Sequence, residues 1–137
     1  MLSSQKVMTY ELKILQKMQQ IHTLANALGS SHALKSTIAN QMMKLDELES
    51  LCQILFAQRG WDISELDPFR KWLNRIRFRY QDDPSIAEAL IHLYTDETIE
   101  ISRCCNRWEQ RDTSARNLTQ KLLDCCATGI RLMQQFL

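Results

Sequence analysis

The chain contains few of the residues that build turns and loops. Its 137 residues include 3 Gly and 2 Pro, which excludes a Gly-rich phosphate loop and favours long helices over a turn-rich sheet. No apolar run approaches the ~18 residues that would cross a membrane. The first residues, Met1 to Lys6, lack the apolar stretch of a signal peptide. We therefore expect an all-α protein with no membrane partner.

The chain has no marked excess of positive or negative charge. The 17 Lys and Arg residues nearly balance 16 Asp and Glu residues, so the net charge is +1 and no nucleic-acid partner is expected. The five cysteines show no CxxC spacing, which favours reduced thiols in the cytoplasm. The three histidines, His22, His32 and His92, are scattered along the chain and form no catalytic or metal-binding motif. We therefore expect no enzyme and no cofactor.

Apolar residues recur at helical spacing through four long segments. Ser, Asp or Pro residues that suit helix starts precede or open the segments, and Gly29 and Gly60 follow the first two. The four predicted helices are Val7–Leu28, Ser30–Arg59, Asp82–Trp108 and Asp112–Leu137. The Ser30–Ser31 pair is expected to cap the second helix, and Asp112 or Thr113 the fourth. The predicted stripes include Met42 in the second helix and Leu137 in the fourth.

The connections between these helices predict the topology. Short turns after the first and third helices predict two antiparallel hairpins, while the connection between the second and third helices spans about 60–83. Within it, Pro68 is placed to begin a short extra helix that ends near Arg79. The sequence therefore predicts a single domain, 1–137, folded as a four-helix bundle with a long crossover.

Two of the apolar stripes are each interrupted by one glutamate, Glu11 in the first helix and Glu97 in the third. A carboxylate in a core stripe needs a partner, a proton or a metal. One interpretation is a residual divalent-metal site; a second is a carboxyl pair that shares a proton, or a carboxylate bonded to Tyr or Arg. In a third, either helix is rotated and its glutamate reaches water.

This arrangement resembles the ferritin-like superfamily, whose di-iron members take one glutamate from each of helices 1 and 3 and Glu-x-x-His from each of helices 2 and 4. The end of the second helix, Gln58–Trp61, is similar to that of spore coat protein F and its bacterial relatives, which also end this helix in Gly-Trp. The second and fourth helices lack the Glu-x-x-His ligands, and apolar or thiol residues stand there instead: Leu45, Leu48, Leu122 and Cys125.

The resemblance thus implies a ferritin-like scaffold without di-iron chemistry. We expect a non-enzymatic structural or assembly protein. The alternative is a metal-binding or oxidation-linked bundle that uses Glu11 and Glu97.

The crossover carries an unusually apolar face beside several arginines. One interpretation is that this face closes one side or end of the bundle, with the arginines solvated or paired with nearby acids. Another is that the segment binds a membrane surface, nucleic acid or an acidic partner. A symmetric dimer is the commonest way to bury such a patch, and we expect a homodimer. The predicted interaction residues are Trp61, Phe69, Trp72, Leu73, Ile76 and Tyr80.

Two adjacent pairs, Cys104–Cys105 and Cys125–Cys126, invite a metal or redox interpretation. Adjacent helical residues point about 100° apart, so neither pair easily directs both thiols at one ion. We expect all five cysteines to be structural thiols that react slowly.

Overall fold

The computed structural model describes residues 4–28, 31–62, 82–106 and 112–137. These residues form four α-helices, and none of them lies in a β-strand. The helices are α1 (Ser4–Leu28), α2 (His32–Gln58), α3 (Asp83–Asn106) and α4 (Thr113–Gln134). The predicted all-α class is confirmed. The predicted extra helix near Pro68 lies outside the described residues.

The caps explain why the helices begin and end where they do. The Ser31 side chain accepts a hydrogen bond from the Leu34 amide (3.0 Å) and begins α2. The Asp112 carboxylate accepts one from the Ala115 amide (2.8 Å) and begins α4. Each contact satisfies an amide that has no partner within its own helix. Gly60 follows α2 with φ +66°, a left-handed conformation that favours glycine.

The helices pack as a square in which α1 and α4 each contact both α2 and α3. At one end, the Ser31 amide donates to the Asp83 carboxylate (3.2 Å), so α3 begins where α2 begins. At the other end, Arg59, which follows α2, is ion-paired with Asp112, which precedes α4. Because α2 and α3 run in the same direction, the connection between them joins opposite ends of the bundle.

The core is formed by the predicted apolar stripes, with a few exceptions at their edges. All the stripe residues of α3 from Ile86 to Ile101 are buried, whereas Cys104 is half-buried. Leu137 was predicted to be in the stripe of α4 but is 65% exposed, because it lies beyond the last residue of that helix. In α2, Gln41 is buried while its neighbour Met42 is half-buried. The buried face of α2 is therefore turned slightly from the predicted stripe.

Candidate functional site

Five polar side chains lie in the core of the described structure. They come from all four helices: Glu11 and His22 from α1, Gln41 from α2, Glu97 from α3 and Thr119 from α4. A buried polar group is destabilising unless it is hydrogen-bonded, and a buried charge needs a counter-charge. The partners of these five groups therefore decide what the interior of the bundle can do.

Glu97 is ion-paired with a lysine from the neighbouring helix. The Lys17 ammonium, on α1, contacts Oε1 of Glu97, which is 3% exposed. Lys17 keeps 18% of its side chain exposed, so its ammonium reaches inward from the edge of the bundle. Glu97 thus has a cationic partner at the edge of the core.

Glu11 is hydrogen-bonded to a residue of α4. The Thr119 hydroxyl lies 2.6 Å from Glu11 Oε1 and 3.1 Å from the carbonyl oxygen of Ala115. A hydroxyl has a single hydrogen and donates to only one acceptor at a time. When Thr119 donates to Ala115, its contact with Glu11 requires the carboxyl group to be the donor. The geometry therefore suits a neutral Glu11 as well as an ionised one.

These contacts bear on the interpretations of the two glutamates. Glu11 is 1% and Glu97 is 3% exposed, so the interpretation in which a rotated helix carries either one to water is wrong. Among the described contacts, Glu11 is hydrogen-bonded to Thr119 and Glu97 is ion-paired with Lys17. Within the described ranges, no three or more His, Cys, Asp and Glu side chains are grouped so that they could hold a metal ion.

His22 and Tyr94 form a buried pair between α1 and α3. The Nδ1 atom of His22 lies 2.6 Å from the carbonyl oxygen of Met18, and Nε2 contacts the Tyr94 hydroxyl. Because a carbonyl oxygen only accepts, Nδ1 carries the hydrogen, and Nε2 accepts from the tyrosine. Burial lowers the pKa of His22 from 6.5 to about 4, with the Met18 carbonyl opposing the shift. His22 is neutral at pH 7.

Gln41 extends this pair to the other two helices. Its Nε2 donates to the carbonyl oxygen of Cys125 on α4 (3.2 Å), and its side chain also interacts with the Tyr94 hydroxyl. Gly129 makes the arrangement possible, since a Cβ there would lie 2.6 Å from the Tyr94 ring and 2.7 Å from Gln41 Nε2. A chain of polar contacts thus crosses the bundle and joins all four helices.

The cluster of His22, Gln41 and Tyr94 was not predicted from the sequence. Each of His22, Gln41 and Tyr94 stands one residue away from a predicted stripe position, and none of them was assigned to a stripe. A wider stripe would have placed all three in the core. Which of them meet across the bundle depends on the relative rotation and height of the helices.

The buried thiols show no sign of activation. Burial raises the pKa of Cys52 and of Cys126 to about 12, and it also raises the pKa of Cys125. All five cysteines are free, and Cys104 and Cys105 are half-buried. A reactive cysteine needs a lowered pKa and access to solvent, so the three buried thiols are poor nucleophiles.

Of the six predicted interaction residues, only Trp61 belongs to the described part of the chain. Its half-buried ring packs edge-on against Phe56, with 5.5 Å between ring centroids. The Arg59 guanidinium lies 5.1 Å from the centroid of the same indole. Trp61 therefore anchors the chain to the end of α2. The other five lie outside the described residues.

Comparison of the chain with protein-family models, with curated proteins and with solved structures finds no significant match. None of the four described helices combines the length and the apolar character that spanning a membrane requires. Function must therefore be inferred from the interior of the bundle.

Proposed function

We propose that the chain is a non-catalytic structural or assembly protein on a ferritin-like scaffold that holds no di-iron centre. The observation that carries this proposal is the bonding of the two interior carboxylates. Glu97 neutralises the ammonium of Lys17, and Glu11 is hydrogen-bonded to Thr119. Both residues that the sequence offers for metal chemistry thus contribute to the packing of one helix against another.

The residues at the missing ligand positions support this proposal. Leu45, Leu48 and Leu122 are buried in the core. Iron in such bundles is bound by carboxylate and imidazole side chains. Leucines supply neither, and they fill the interior with the apolar contacts that stabilise a bundle.

Support for the ferritin-like scaffold comes from the direction of the helices. The contact between Ser31 and Asp83 places the starts of α2 and α3 at one end of the bundle, which suits a bundle with one long crossover. At the end of α2, Gly60 has a left-handed φ and Trp61 packs on Phe56. These features suit the proposed likeness to spore coat protein F.

The proposed partner is a second copy of the chain, bound through the apolar face of the crossover. We expect sedimentation at tens of micromolar to show a dimer, and a Trp72→Ala/Ile76→Asp variant to shift it towards monomer. Met43→Asp is the matched control, because Met43 is an exposed apolar residue of α2 whose change should leave the dimer intact. A wild-type monomer, or a double variant that dimerises as tightly as wild type, would contradict the proposed dimer.

We also propose a cytoplasmic location, supported by the five free cysteines. Thiols stay reduced in that compartment. Expression of a fluorescent fusion in a bacterial host, followed by fractionation into cytoplasm and periplasm, tests the location.

Elemental analysis of the dialysed protein tests the absence of a metal centre. We expect no stoichiometric iron, manganese or zinc, and no rise in melting temperature when these ions are added. We also expect Glu11→Gln to change stability by less than about 1 kcal/mol, because glutamine can donate to Thr119 as a neutral carboxyl group does. A large loss of stability would mean that Glu11 is ionised and paired.

A second candidate is a metal-binding or oxidation-linked bundle. It is favoured by the near-complete burial of Glu11 and Glu97, since buried carboxylates are also common at metal centres. In that case about one or two metal ions per chain should remain after dialysis and be lost in Glu11→Ala or Glu97→Ala. Glu88→Ala is the control, because Glu88 is an exposed residue of α3.

A further inference from the structure

The interface between α1 and α3, here called the α1–α3 seam, differs from the other three helix interfaces. Within the described residues, its two helix backbones approach each other closely over a shorter length than those of the other three interfaces. It is bridged at three successive levels by polar pairs: Tyr10 with Glu100 (3.1 Å), Lys17 with Glu97, and His22 with Tyr94. Of the three pairs, only His22 and Tyr94 have both side chains fully buried.

We propose that the α1–α3 seam is opened by acid: a proton taken up by His22 displaces the Tyr94 hydroxyl, and α1 then separates from α3. The inference does not depend on the proposed function, and it applies equally to an assembly protein and to a metal-binding bundle.

The hydrogen bonds of His22 explain why a second proton cannot be accommodated in the closed seam. In the neutral ring, Nδ1 donates to Met18 and Nε2 accepts from Tyr94. After protonation, Nε2 also carries a hydrogen, which points at the hydroxyl hydrogen of Tyr94. The hydroxyl must turn its hydrogen away and become the acceptor.

The turned hydroxyl has no good acceptor in the closed bundle. Its neighbour Gln41 directs Nε2 to the Cys125 carbonyl oxygen and interacts with Tyr94. The Oε1 atom of Gln41 is buried and accepts no hydrogen bond from any residue in the described ranges. Rotating the amide to offer this oxygen to Tyr94 would break its bond to Cys125. Opening the seam, in contrast, lets water solvate the imidazolium.

No charged side chain of the described ranges offsets the positive ring. Within the described chain, the groups around it are the Met18 carbonyl on α1, Tyr94 on α3, Gln41 on α2 and, beside Tyr94, the neutral thiols of α4. The charged groups of the seam are already bonded: Lys17 to Glu97, and Glu100 to Tyr10 and Arg103. The shift in the pKa of His22 is caused by burial and by Met18 alone.

The closed seam with a buried His22 and the open seam with an exposed His22 bind the proton with different affinity, and this sets the direction of the pH response. The pKa of His22 is about 4 in the closed bundle and returns towards 6.5 when the ring is exposed. The closed seam is therefore favoured fully above pH 6.5, and it loses this advantage as the pH falls towards 4. From pH 7 to pH 5 the opening equilibrium should rise about 20-fold.

Two adjacent thiols of α4 report on the opening separately. Cys126 is fully buried, and its pKa is raised mainly by burial, with smaller contributions from Cys125 and from Glu97, the α3 residue that is paired with Lys17. Cys125 faces α2, where its sulfur lies 3.9 Å from Gln41 Nε2. We expect separation of α1 from α3 to open a path past Glu97 to Cys126 while Cys125 stays covered by α2, whereas unfolding of the whole chain exposes both thiols.

The experiment measures labelling by a dipyridyl disulfide, which reacts with thiols at pH 5 as well as at pH 7. Fragmentation of the labelled peptide assigns each rate to one cysteine. Each rate is divided by that of the same cysteine in the urea-unfolded chain at the same pH. We expect the relative rate at Cys126 to rise about 20-fold from pH 7 to pH 5, and that at Cys125 to rise much less.

Two variants assign the response to one histidine. His22→Gln, which does not titrate, should abolish the rise at Cys126. His92→Gln is the matched control, because His92 is an exposed histidine of α3 and its loss should leave the rise unchanged. Equal rises at the two thiols, no rise at Cys126, or a wild-type response in His22→Gln would each overturn the proposal. If His22→Gln does not fold, the wild-type protein still tests the proposal. The test is then whether the relative labelling rate rises more at Cys126 than at Cys125 between pH 7 and pH 5.

Discussion

A Cβ atom at Gly129 would lie 2.6 Å from both Cε2 and Cζ of Tyr94, so α4 can approach α3 this closely only because residue 129 has no side chain. Alanine is normally more stable than glycine in a helix by about 1 kcal/mol. Here the overpacking, about 1–3 kcal/mol, should outweigh that gain. We expect Gly129→Ala to lower the free energy of unfolding in urea.

The matched control removes the ring that the new methyl group meets. In a Tyr94→Leu background, Gly129→Ala should be less destabilising than in the wild-type protein. Equal effects in the two backgrounds would mean that the ring and residue 129 are not in contact.

The Lys17–Glu97 pair allows a second prediction. Lys17→Met leaves a carboxylate that is 3% exposed without its counter-charge, and we expect a loss of about 3 kcal/mol. Replacing both residues, Lys17→Met with Glu97→Met, should recover most of that loss, because no charge is then buried. Arg103→Met breaks the exposed pair with Glu100 and should cost less than about 1 kcal/mol. Urea denaturation measures the free energy of unfolding of each variant. If Lys17→Met and Arg103→Met lose similar amounts of this free energy, Glu97 is solvated.

The third prediction concerns global stability and pH. The pKa of His22 is about 4 in the folded protein against 6.5 ordinarily, so the unfolded chain takes up a proton that the folded chain resists. Stability should fall as the pH drops from 6.5 towards 4. Between pH 7 and pH 5, wild type should lose about 2 kcal/mol more than His22→Gln. Parallel stability curves for the two proteins would show that the folded structure accepts the proton without strain.

The fourth prediction concerns the order in which the thiols react. Burial raises the pKa of Cys52 and Cys126 to about 12 from 9, which lowers their thiolate fraction at pH 8 about a thousandfold. The half-buried Cys104 and Cys105 should therefore be alkylated first, and the buried thiols only in denaturant. This replaces the expectation that all five react slowly. Mass spectrometry of iodoacetamide-treated protein gives the order; labelling of Cys126 as fast as that of Cys104 would show that α4 is rotated.

Local chemistry made much of the fold predictable. The cap residues Ser31 and Asp112 begin the helices that the sequence assigned to them, because capping depends on residues within one helical turn. Glu11 and Glu97 were predicted to lie in core stripes and are buried. Periodicity can make this prediction because burial of a stripe depends on the helix alone.

The sequence by itself thus determined the four helices, their polar ends and the two carboxylates that enter the core. The tertiary structure alone decided that Glu97 meets Lys17, that Glu11 meets Thr119, and that His22 meets Tyr94. Residues in each pair are between 72 and 108 positions apart. Their contact depends on the height and rotation of one helix against another, which are set by the packing of the whole core and not by any local pattern.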